Sequence, residues 1–72
     1  MITSKRVEEL AREEAHKSLP NLERQNPAHF EGIVNILKNT IIDDYDLNSL
    51  RSESNVKELI ATDMESLKEA LK

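Results

Sequence analysis

Asn26-Pro27-Ala28-His29-Phe30-Glu31-Gly32-Ile33-Val34-Asn35-Ile36-Leu37-Lys38-Asn39-Thr40-Ile41-Ile42 is the stretch that decides the fold. Asn26 followed by Pro27 marks a helix start. The Asn side chain accepts a hydrogen bond from an otherwise unpaired first-turn amide, and the Pro ring presets a helical φ where no N–H is needed. Phe30, Ile33, Val34, Ile36, Leu37 and Ile41 then recur at helical spacing, with Ile42 to one side. Together they cover nearly half the circumference, wider than a one-sided surface helix needs. The pattern predicts a central helix over residues 27–42, contacted from two directions.

On the N-terminal side, a first helix is expected over residues 4–19. Thr3 is placed to cap it, and Ile2 and Val7 fall at the two positions of a hydrophobic staple. Val7, Leu10, Ala11, Ala15 and Leu19 line one face, with Glu8, Glu9, Arg12, Glu13 and His16 opposite. Glu8 with Arg12 and Glu13 with Lys17 have the favourable four-residue spacing, acid first. Lys5 and Arg6 sit against the helix dipole. Pro20 disfavours a helical Leu19, so the helix stops there. Residues 20–26 then read as a connector with room for one helical turn, anchored by Leu22.

On the C-terminal side, Asp43-Asp44-Tyr45-Asp46-Leu47-Asn48-Ser49-Leu50 reads as a short helix capped by Asp44 or Asp46, with a loop as the alternative. Capping residues Ser52 to Asn55 precede a last helix over residues 55–71. Its stripe is Val56, Leu59, Ile60, Met64, Leu67, Ala70 and Leu71. Asp63 interrupts that stripe. Thr62-Asp63-Met64-Glu65 fits a capping box, so the helix either breaks into two pieces at Thr62 or runs on through it; the sequence leaves both open.

Composition agrees with this pattern. One Gly, two Pro, almost no aromatics and 33% charged residues suit helices rather than strands. Seventy-two residues make one domain, 1–72, which buries only about 60% of the surface its unfolded chain exposes. Setting Met1 aside, 21 large apolar side chains are available to its core, and there is no Cys to supplement it. The expected fold class is all-α, a small antiparallel bundle of three to four helices.

The net charge of −4 favours solubility and argues against general nucleic-acid affinity, which needs clustered Lys and Arg. The excess is confined to residues 31–72, with nine acidic against five basic groups. The opening Met-Ile-Thr-Ser-Lys-Arg has no apolar core of a signal peptide, and no apolar run is long enough for a membrane span. The expected setting is cytoplasmic.

Few residues offer chemistry. Asp44, Asp46 and Asn48 match the first three ligand positions of a helix-loop-helix calcium loop. Ser49 replaces the turning Gly and Asn55 the bidentate Glu, so the pattern fails. His16 and His29 lack a second His or Cys at ligand spacing, and no metal or cofactor is expected. Glu14 and Asp63 fall on apolar faces, where a carboxylate is either a tuned acid or an edge or capping residue. There is no Gly-rich phosphate loop, Gly-flanked Ser or Cys nucleophile, so the chain does not read as an enzyme. Val56 to Ala61 resembles the first helix of a helix-turn-helix. The segment after it lacks a Gly turn, and Glu65 and Glu69 would oppose phosphates, which disfavours a DNA-binding regulator.

What remains is recognition of another protein. Asp43, Asp44, Tyr45 and Asp46 combine carboxylates that steer a basic surface with an aromatic offering contact area at little entropic cost. The alternative function is self-association into a homodimer, through the wide apolar face of the second long helix.

Overall fold

Thr3, Asn26 and Ser52 start three of the four helices in the computed structural model, which describes residues 2–45 and 52–71. The amide of Arg6 donates to Thr3 Oγ1 at 3.1 Å, and that of His29 to Asn26 Oδ1 at 3.2 Å. The amide of Asn55 donates to Ser52 Oγ at 3.4 Å. Each contact satisfies one of the amides that a helix start leaves without an internal partner. The helices are α1 (Ser4–Ser18), α2 (Pro20–Gln25), α3 (Pro27–Asp44) and α4 (Glu53–Leu71), and no strand occurs among the described residues.

Three helix limits differ from the sequence expectation: α1 ends at Ser18 rather than residue 19, α3 ends at Asp44 rather than residue 42, and α4 starts at Glu53 rather than residue 55. The connector after α1 is a six-residue helix with Pro20 at its first position and the partly buried Leu22 packed on the core. α3 extends past Ile42 to Asp44, where the Tyr45 amide still donates to Ile41 O at 3.1 Å. Residues 43 and 44 therefore end α3 rather than start a new helix; residues 46–50 lie outside the described residues.

α4 begins at Glu53 and runs unbroken through Thr62. The Thr62 hydroxyl donates back to Glu58 O at 3.0 Å, so it serves the preceding turn and caps nothing. Ile60 and Met64 are both fully buried, and a break between them would lift one from the core. A continuous helix also leaves no turn for a helix-turn-helix.

The core draws on the three long helices: Val7, Leu10, Ala11 and Ala15; Phe30, Ile33, Val34, Leu37 and Ile41; and Val56, Ile60 and Met64, joined by Ile2. α3 packs against each of the other helices, as its wide apolar arc leads one to expect, and α1 does so equally, so the two share the centre of the fold. That arc does not all turn inward, because Ile36 stays 50% exposed.

The charged faces meet across helices. Lys38 Nζ lies 3.6 Å from Glu8, and Arg12 forks onto Glu31 through Nη1 and, at 2.8 Å, Nη2, so α1 and α3 run antiparallel. Arg12 therefore makes its hydrogen bonds across helices, while Glu8 on its own helix acts on it through charge alone. Arg6 grips Glu53 through two hydrogen bonds of 2.6 and 3.0 Å, setting the first turn of α4 beside that of α1. A radius of gyration of 11.7 Å compares with ~11 Å for a compact chain of this length.

Candidate functional site

The acidic end of α3 is built by the helix itself. Asp43 and Asp44 are its last two residues, both exposed, and Tyr45 follows in extended conformation (φ −127°, ψ 141°), 41% exposed. Asp46, the fourth residue expected in this surface, lies outside the described residues.

The electrostatics of this corner are unfavourable to the fold. A helix C-terminus carries the negative pole of the backbone dipole, where cations stabilise and carboxylates do not. The last turn of α3 holds no basic residue. Lys38, the one lysine on α3, is engaged by Glu8 of α1. Two carboxylates are thus added to a pole that is already negative.

A third carboxylate responds to them. Asp63 sits on α4 between the partly buried Leu59 and Leu67, and its Oδ2 is buried without a hydrogen-bond partner. Burial pushes its carboxyl above the usual range, and the charge of Asp44 pushes it in the same direction. The sequence left Asp63 as an edge residue, a cap at a helix break or a tuned acid; with α4 continuous the break is removed, and it is a partly buried charge beside the acidic corner. Its position in the middle of an apolar stripe was the available signal. Glu14, the other carboxylate on an apolar face, is only partly buried and accepts from the Ser18 hydroxyl at 3.4 Å.

Elsewhere several polar side chains pair with one another. His16 Nδ1 lies 2.6 Å from Glu23 across the α1–α2 corner, while His29 is exposed in the first turn of α3, so the two histidines do not converge. Among the described residues no three His, Cys, Asp or Glu side chains gather as a metal site would require. A groove of about 350 Å³ between α1 and α4 has Leu10 and Ala61 at its base and mixed-charge rims from Glu13, Lys17, Lys57 and Glu58. No helix among the described residues is long and apolar enough to cross a membrane. No family model, curated protein or solved structure matches the chain.

Proposed function

We propose that this chain is a non-catalytic protein-interaction module of the cytoplasm, and that Asp43, Asp44, Tyr45 and Asp46 form its contact surface for a basic partner. The observation that carries this reading is the placement of Asp43 and Asp44 at the negative pole of α3 with no base in the last turn. That arrangement opposes folding stability, and a cationic partner surface would relieve it. Tyr45, exposed beside the two carboxylates, supplies apolar area that a purely electrostatic contact lacks. The mechanism is electrostatic steering followed by masking of the partner's surface.

The test is affinity capture from lysate of the protein's own source with wild type and the Tyr45→Ala/Asp44→Lys double variant, at low and high salt. A stoichiometric basic protein held by wild type at low salt, weakened by salt and lost from the double variant, is expected. Equal retention by both chains, or the lack of any salt-sensitive partner of wild type, overturns the proposal.

A further inference from the structure

On α1 and α4 the face turned away from the core is charged, with Glu9, Glu13 and His16 on one and Glu58, Glu65 and Glu69 on the other. α3 differs. At 100° per residue, Ala28, Gly32, Asn35, Ile36 and Asn39 share the side opposite Phe30, Val34, Leu37 and Ile41. All five are exposed and none carries a charge, in a chain of which a third is charged. The strip is about 17 Å long, and the half-exposed Ile36 lies in its C-terminal half.

Gly32 adds to the contrast. A β-carbon there would meet nothing within 4 Å, so its bareness makes no room for the rest of the chain, although Gly weakens a helix interior. The ends of α3 are charged in opposite senses. Its first turn has no acid, contains His29 and lies at the positive pole; its last turn has no base and ends in Asp43 and Asp44 at the negative pole.

We infer that this face of α3 is a contact surface for a second copy of the chain, with two α3 helices packed antiparallel about a twofold axis between Asn35 and Ile36. A twofold sets each central group against itself or a near neighbour. A charged side chain there would meet its own charge, whereas Ile meets Ile, and Asn both donates and accepts. In this register Gly32 lies opposite the partner's Asn39, where a bare backbone permits close approach. The partner's Asp43 and Asp44 come to the first turn of α3, beside His29 and the positive pole. The uncharged middle and complementary ends select a copy of this chain over a partner of uniform charge. The buried apolar arc of Phe30, Ile33, Val34, Leu37 and Ile41 is spent within the chain, so self-association uses the opposite side of the helix from the one its apolar residues suggest.

The inference rests on α3's outer face and shares only the two aspartates with the acidic-corner reading. The strip falls short of the ~1,200 Å² that stable interfaces bury, so the dimer is weak and reversible, with a dissociation constant on the order of 0.1 mM. Sedimentation equilibrium from about 10 µM to about 1 mM, with helix content followed by circular dichroism, tests it. Wild type should rise from 8.3 kDa toward twice that mass, and Ile36→Glu should associate at least about tenfold more weakly. Asn39→Arg, exposed and away from the core, gives the same reading if Ile36→Glu lowers helix content. Monomer mass for wild type at the highest concentration, or undiminished association of both variants, overturns the dimer. Tyr45→Ala separates the two readings, because it should weaken capture of a basic protein and leave the dimer intact.

Discussion

Replacing Asp63 with Asn should stabilise the protein, and the gain should depend on pH. One of the two carboxylate oxygens is closed off from solvent with no donor facing it. Leaving a buried polar atom unsatisfied costs about 1–3 kcal/mol. The rest of the carboxylate is less buried, so the low end applies, and Asn needs a partner too; a gain of about 1 kcal/mol is expected. For a domain of this size that raises Tm by about 4–8 °C. The sign of the pH dependence follows from the raised carboxyl. Below its unfolded value of ~3.9 the group is protonated in both states and the penalty vanishes. As pH rises through the higher folded value, stability is lost, because the folded state must ionise a poorly solvated group. Thermal melts of wild type and Asp63→Asn should therefore diverge at pH 7 and converge near pH 3. Because Asp44 contributes to the penalty, Asp44→Asn should recover part of the gain, and the two changes should combine to less than their sum. Equal Tm values at pH 7, or a gap of the same size at pH 3, would refute the reasoning.

Gly32→Ala should raise stability by about 0.5–1 kcal/mol in urea unfolding at low protein concentration, since the added methyl meets open space in a helix interior. Leu37→Ala, at the buried centre of α3, should lose about 2–5 kcal/mol. Against a total near 4–11 kcal/mol for 72 residues, helix content at 37 °C should report partial unfolding. Glu31 and Glu53 are held below the usual carboxylate range by the guanidinium groups of Arg12 and Arg6. Their contribution is present above the unfolded value and lost as pH falls through the folded one, so Glu31→Gln should flatten the acid limb of stability measured between pH 5 and pH 2.

The features legible in the sequence were local. Thr3 and Asn26-Pro27 act on amides two or three residues away, so their helix starts can be read directly from the chain. The core stripes of α1 and α4 follow from spacing alone. Features set by the relative placement of helices were not legible. Nothing near Arg12 announces Glu31, and nothing near Asp63 announces Asp44; both relations exist because packing brings distant turns together. Ile36 looked like a core residue because it falls at the rim of an apolar arc, and only the positions of α1, α2 and α4 decide which rim stays outside. Thr62 carried a capping pattern that the burial of Ile60 and Met64 overrode. The acidic corner was partly legible. Its residue types were plain, but its unfavourable position depended on α3 continuing two residues past Ile42.

The grip of Arg6 on Glu53 also bears on the order in which the chain assembles. The pair closes a span of 47 residues, whereas the Arg12–Glu31 pair closes one of 19. The longer closure costs about 0.8 kcal/mol more chain entropy. α1, α2 and α3 can therefore meet first as a local unit, with α4 arriving last. α4 adds Val56, Ile60 and Met64 to a core in which α3 alone supplies five buried side chains. Among the three long helices, the last to dock, secured by the fewest buried groups of the described residues, is the first to let go. In hydrogen exchange the amides of α4 should open before those of α3, giving the folded state a hinge in time that its static shape does not display.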